Sequence, residues 1–396
     1  MRNTGSSMLY TLGLSLLAAA LAAAQSAPSK EISKAEPASS RKAETPEKIA
    51  DKTADKANAT PPVAPKAAPA PVKYTELKKA TLWPPKTGVK TPGVQIPMTN
   101  LKPEAEISLS TPVGSFLFTT DQVLIPVPGA DQIMRVEGRS NKVLDPFTGI
   151  TKPCGGLANA FRNLWVVSCG SGLARLETAT AKPVVSIAIG SGTAPLAIAS
   201  TADSMWMLTD DKTTLTRIDP ETNSVVSEFR LPANCKSISF ADNSLWVACP
   251  GEKRILRINP QTNLVVARVE VTPEPVSLVY GGPSAAESSI WVLSRKEGKV
   301  ARIDPKTNKV IATIDLGFTN ADGNIAFGEG FVWVTAPGFP ITKISAVLEK
   351  EKVVQQFAGE GGGAIQFGLN SIWLTNTAYN NVWRLDPKRI AATLVE

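Results

Sequence analysis

The stretch Ala301–Gly317, "ARIDPKTNKVIATIDLG", decides the fold, because the chain writes it more than once. Near copies stand upstream as "TRIDPETNSVVSEFRL" from Thr216 and "LRINPQTNLVVARVEV" from Leu256. Each reads as two short apolar, β-branched runs joined by Asp/Asn-Pro-x-Thr-Asn. Pro305 presets φ for a turn, Asp304 can accept from the turn backbone, and Asn308 tolerates the left-handed conformation that closes a tight hairpin. The phrase is turn chemistry between two strands.

Widening the window reveals the period. Trp165, Trp206, Trp246, Trp291, Trp333 and Trp373 recur at intervals of 40 to 45 residues, and one further step back from Trp165 reaches Leu124 in "QVLIPV". A basic residue follows each by 10 or 11 positions: Arg135, Arg175, Arg217, Arg257, Arg302, Lys343 and Arg384. Each unit splits into four runs, such as "PVSLVYG", "SIWVLSR", "KVARID" and "KVIATIDLG" in the fifth, bounded by Gly, Pro, Asn and Asp. Four strands per repeat of about 40 residues describe a propeller blade. The expected fold is all-β, a seven-bladed β-propeller of four-stranded antiparallel blades over residues 104–396. The Trp series reads as packing between blades, each N–H satisfied. Two segments compete for the outer edge of the last blade, "EAEISLS" (104–110) and the terminal "RIAATLVE" (389–396).

The N-terminal part has another character. Arg2 and the apolar run from Met8 to Ala24, with Ala22 and Ala24 in A-x-A positions, read as a signal peptide over residues 1–24. An uncleaved anchor is the alternative, and both place the chain outside the cytoplasm, periplasmic or extracellular. Residues 25–73 are rich in Ala, Lys and Pro and read as a disordered linker. Residues 74–103 are more apolar and are expected to lie extended against the propeller.

The formal charge of +7 suggests an anionic partner until it is located. Residues 25–103 hold 14 Lys and Arg against 7 Asp and Glu, while residues 104–396 hold 27 against 28. The folded part is neutral, which speaks against a nucleic-acid surface. Membrane contact is left to the basic linker or an uncleaved signal. The chain is expected to be a monomer.

The "LWV…RIDPxTNxVVxxI" repeat resembles the YVTN-type propellers and the wider group that contains virginiamycin B lyase and the regucalcin-like lactonases. The ending "VVQQFAGEGG…SIWLTN…VWRLDP", Val353 to Pro387, is similar to secreted bacterial propellers. The lyase resemblance implies a His base beside Glu-bound magnesium, yet this chain has no His, so that mechanism is not expected. The lactonase resemblance implies a divalent cation, Ca or Mg, held by Glu, Asn and Asp at the channel mouth.

Strand order places the blade-to-blade connections and the second-to-third loops on one face, and the repeated turns on the other. The channel-mouth residues are then Asn234, Lys236, Glu274, Asp322 and Asn324, of which Glu274, Asp322 and Asn324 form the candidate metal set. Arg295 and the aromatics Phe339 and Tyr379, expected to be exposed, come from second-to-third loops and are candidate partner contacts. Cys154 and Cys235 hold equivalent positions in two blades, as do Cys169 and Cys249. Disulfides Cys154–Cys169 and Cys235–Cys249 follow in an oxidising compartment; four thiolates on zinc is the alternative, without C-x-x-C spacing. The leading functional expectation is a binding or interaction module of the cell envelope, with an envelope protein or a small molecule as its ligand. A metal-assisted lactonase or lyase-like enzyme is the second reading, and a quinoprotein dehydrogenase-like subunit the third.

Overall fold

The computed structural model describes residues 87–392, apart from 112–113, 191–195, 210–211 and 233. The expected signal peptide, the linker and residues 74–86 lie outside the described residues. Seven antiparallel sheets follow one another along the chain. Blades 1 to 6 span residues 117–148, 153–187, 198–230, 237–270, 275–315 and 324–358. Blade 7 takes three strands from residues 365–385 and its fourth from Ala105–Ser108. The first strands of consecutive blades lie against one another and line the axis. No helix among the described residues is long and apolar enough to cross a membrane.

The Trp of each second strand is fully buried and its indole N–H is satisfied. Trp165, Trp246, Trp333 and Trp373 donate to the carbonyl five residues upstream, Trp206 to the Thr201 hydroxyl, and Trp291 to the Gly281 carbonyl. The same first-strand glycines make room for the next blade. A Cβ on Gly328 would lie 2.1 Å from the Phe367 ring, and one on Gly368 would lie 2.3 Å from the Phe118 ring.

The repeated phrase does more than turn the chain. Asp219, Asn259 and Asp304 accept from the turn N–H groups two residues on, and Asn223, Asn263 and Asn308 sit at φ of 56°, 59° and 57°. The Arg of five Trp units then reaches across to the turn of the following blade. The Arg257 guanidinium stacks over Trp246, its Nε donates to Ser244, and its Nη1 donates to the Pro305 carbonyl and to Asn308 Oδ1 at 2.9 Å. Arg175 does the same to Pro220 and Asn223, Arg217 to Pro260, and Arg384 to Gly138 and Asn141. Between blades 5 and 6, Arg302 instead meets Ala346 and Glu351, and the pair is almost wholly buried. These staples tie blade to blade with charge-assisted hydrogen bonds.

The staple is missing at two junctions, and at both the acceptor Asn is replaced. Blade 1 has Leu124 for Trp, and the left-handed position that follows in blade 2 is Ala181 rather than Asn; Arg135 lies over Phe147 instead. Blade 6 has Lys343 for Arg, and the equivalent of Asn308 in blade 7 is Ile390. A β-branched residue is strongly disfavoured in the left-handed region. The chain therefore does not turn into a fourth strand there but enters a short helix, Arg389–Ala392. This settles the competition for the outer edge: Ala105–Ser108 pairs antiparallel with Asn381–Leu385 and closes the ring.

Ahead of that strand, Gln95–Pro97 adds parallel to the outer strand of blade 6, Val353–Ala358. Gln356 fastens it, accepting from the Val89 N–H and donating to the Leu316 carbonyl. Ile96, Met98 and Leu101 are buried there with Trp383, Leu385 and Ile390. Both expected disulfides are present, Cys154–Cys169 in blade 2 and Cys235–Cys249 in blade 4.

Candidate functional site

The connections entering blades 4, 5 and 6, together with the second-to-third loops of blades 3 and 5, gather polar residues at one mouth of the channel. A depression of about 490 Å³ opens there, lined by Lys212, Lys236, Asp322, Asn324, Thr335 and a glycine wall that includes Gly323, Gly362 and Gly363. Below it a smaller cavity, about 220 Å³, is ringed by first-strand residues of the blades, among them Ser115, Gly155, Ala197, Ser237, Ser277 and Asn324. Side chains some 40 residues apart in sequence thus meet around one axis.

Glu274 lies in the connection into blade 5 at φ 60°, and the backbones of the two loops are joined by the Arg295 N–H donating to the Glu274 carbonyl. Arg295 Nε and Nη2 both donate to Glu274 Oε2, at 2.8 and 2.5 Å, and Nη1 reaches Asp322 Oδ2 at 3.3 Å. The hydrogen bond to Glu274, then the charge of Asp322, raise the Arg295 pKa above its ordinary value. On the other side Lys236 Nζ meets Asp322 Oδ1 at 3.2 Å. Burial works against the charged form of Asp322, but Lys236 and then Arg295 outweigh it and hold the carboxyl below its usual range. Asn324 is turned into the channel wall, its amide donating to the Gly363 carbonyl while its Oδ1 accepts from Ser277. Asn234 is exposed on the rim at φ 62°, next to Cys235.

The structure therefore brings Lys236, Glu274, Arg295, Asp322 and Asn324 together, but as a chain of alternating charges. A Ca or Mg ion would have to displace Arg295 from Glu274 and both cations from Asp322, and it would then sit beside two fixed positive charges. The donor set does not fit a divalent cation. Among the described residues no group of three or more His, Cys, Asp or Glu is placed to hold a metal.

The two aromatics part company. Phe339 was expected on an exposed loop and is instead buried at 3 % exposure. Gly338 at φ 80° closes a two-residue turn, so that Ala336 already pairs with Phe339 and the ring is drawn in, stacked on Phe318 at 5.4 Å. Tyr379 is half-buried in the second-to-third loop of blade 7, and burial, then the charge of Glu360, raise its pKa. A second depression of about 740 Å³ on this face lies between, lined by Phe318, Phe339, Glu360 and Thr377.

The repeated-turn face holds a depression of about 860 Å³ between blades 2, 3 and 4. Arg175 and Arg217 line it, yet their guanidinium groups are held by the staples, and Arg217 is further paired with Asp203 at 2.9 Å. The charge of these two residues serves blade contacts. The sequence reading did not find these Arg–turn bonds, although the Arg spacing was visible. Thr335, inside a second strand, carries no such signal, whereas the "EGGGA" connection that supplies Gly362 and Gly363 is legible as part of the mouth.

No protein-family model matches this chain, and no curated protein does. Solved structures do match. A streptogramin B lyase superposes with a TM-score of 0.56 at 17% identity, over 71% of this chain and 96% of that one. The likeness is one of fold. A chain of the hydrazine synthase of Kuenenia stuttgartiensis gives 0.57 at 12% identity, over 72% and 99%. One from the mitotic checkpoint complex gives 0.62 at 7% identity, over 75% and 97%. So wide a range of neighbours at such identities carries the propeller architecture and no activity.

Proposed function

We propose that this chain is an exported β-propeller that acts as a binding module of the cell envelope and takes its ligand at the channel mouth. One observation carries the reading. Charged side chains from the loops of blades 3 to 6 converge over an open depression on one face, whereas Arg175 and Arg217, which line the depression on the opposite face, are engaged in holding blades together. Loops that differ from blade to blade on a rigid repeated frame are the usual place for recognition. The site offers no His for general base chemistry, since the chain contains none. Its carboxylates are neutralised by Arg295 and Lys236, which argues against the lactonase-like reading. The two disulfides, both rimming the channel-mouth face, support export.

A photo-reactive residue introduced in cells at Asn234 tests the site, with Lys306 on the opposite face as control. Intact-protein mass spectrometry is expected to show a discrete adduct from position 234 that is lost when Lys236 and Arg295 are both changed to Glu. Equal adducts from both positions, or none from 234, would refute the reading. Alkylation before and after reduction tests export: the four thiols should be protected until reductant is added.

A further inference from the structure

We propose that the ligand of the channel mouth carries a carboxylate, and that Asp322 stands in its place in the unliganded protein; this rests on the reading of the mouth as a binding site. Each oxygen of Asp322 takes one cation, Oδ1 the Lys236 ammonium at 3.2 Å and Oδ2 the Arg295 Nη1 at 3.3 Å. That is how a carboxylate is held between two cations, here supplied by the protein's own loop. Both contacts are long for charge-assisted hydrogen bonds. The Asp322 side chain is 56% exposed, so water and salt screen what it gains there.

Without it the Arg295 guanidinium and the backbone that carries Lys236 are still held. Arg295 is oriented by two bonds to Glu274 and by the backbone bond between their loops, which leaves Nη1 aimed over the mouth. Lys236 is fixed through its own N–H to the Ala248 carbonyl and through its neighbour Cys235, which is bonded to Cys249. The Cys235 N–H donates to the Lys212 carbonyl, and this brings a third cation to the same rim. Gly323, Gly362 and Gly363 line the same depression and leave room there for a ligand. With Asp322 swung away, Lys236 and Arg295 would face only Glu274 among these three residues, and the mouth would attract an anion. A depression of about 490 Å³ admits a small organic acid or the last residues of a peptide, but not a folded domain.

The test turns on the sign of one substitution. Citrate, inorganic phosphate and triglycine with a free or an amidated C-terminus are titrated calorimetrically against the purified chain, Asp322→Asn and Lys236→Gln, with melting curves showing that each variant folds. Carboxylate probes are expected to bind, more weakly as sodium chloride is raised. Asp322→Asn should tighten them about tenfold by removing the competing internal anion, and Lys236→Gln should weaken them by a similar factor. Binding of citrate but not triglycine would assign the site to free organic acids, and loss on amidation would assign it to peptide termini. Loss of binding in Asp322→Asn would overturn the proposal, because Asp322 would then be a ligand contact, as a cation site requires. Phosphate binding as tightly as citrate would overturn the carboxylate class. Absence of any carboxylate binding, with the Asn234 adduct intact, would sink the proposal and leave the binding module standing; loss of both sinks both.

Discussion

At the scale of single residues, Asn308 shows two demands met by one side chain. Its backbone occupies the left-handed region, and its Oδ1 accepts from Arg257 of the preceding blade. The first role is legible in the phrase itself, since Asp-Pro-x-Thr-Asn is local chemistry. The second is not, because the partner lies 51 residues away in another blade. The roles separate by substitution. Asn308→Gly keeps the conformation at no steric cost and removes the acceptor, so it should lower unfolding free energy by about 1–2 kcal/mol. Asn308→Asp keeps the acceptor and should stay near the native value. Urea unfolding followed by Trp fluorescence reads both, and equal stability of the Gly variant and the parent would reduce Asn308 to a turn residue. Phe339 teaches the same lesson at the site: "APGFP" reads as a loop, yet whether the turn closes in two residues or four decides if the ring is a surface contact or core.

Among elements, the junction of blades 6 and 7 differs from the stapled ones. Lys343 is 4% exposed and lies over Phe331 at 3.9 Å and Trp333 at 5.1 Å. Burial lowers its pKa from the ordinary lysine value of 10.5. A cation whose folded pKa is depressed costs the folded state most at pH below both pKa values. That cost fades as pH climbs through the folded pKa and is gone above the unfolded one. Lys343→Met should therefore be more stable than the parent near neutrality by about 1 kcal/mol, with the gap narrowing as pH rises toward the ordinary lysine value of 10.5. Thermal melts of the pair across that range check the sign. A less stable Met variant would mean that the aromatic rings stabilise the ammonium by more than its burial costs. The Lys is visible in the sequence as a departure from Arg, but its meaning needs Ile390, the lost acceptor, beside it.

For the whole molecule, closure depends on the two ends of the propeller meeting. Asn381 reaches Glu106 across 275 residues, and Arg384 ties blade 7 to the turn of blade 1. The disulfides act more locally, each within one blade at the mouth. Replacing Cys235 and Cys249 by Ala should lower stability by about 3 kcal/mol in the chain-entropy view. Because this bond also anchors Lys236, the double variant should loosen the mouth while the other blades keep their protection. Hydrogen exchange resolves the two effects. Faster exchange confined to residues 234–250 and the Lys212 loop is expected, and uniform acceleration around the ring would contradict a local role.

The number of blades, the turn chemistry, the two cysteine pairs and the division into faces were all determined by the sequence alone. Each arises from interactions within a few residues or from a period repeated seven times, so a linear reading captures them. The tertiary structure alone decided which end closes the ring, where Gln95–Pro97 docks, and that Glu274 and Asp322 meet Arg295 and Lys236. Those contacts join residues that no local pattern relates: Lys236 and Asp322 stand 86 positions apart. The phrase "RIDPKTNKV" thus marks both levels, a turn written in the sequence and a clasp between blades that exists only once the ring has formed.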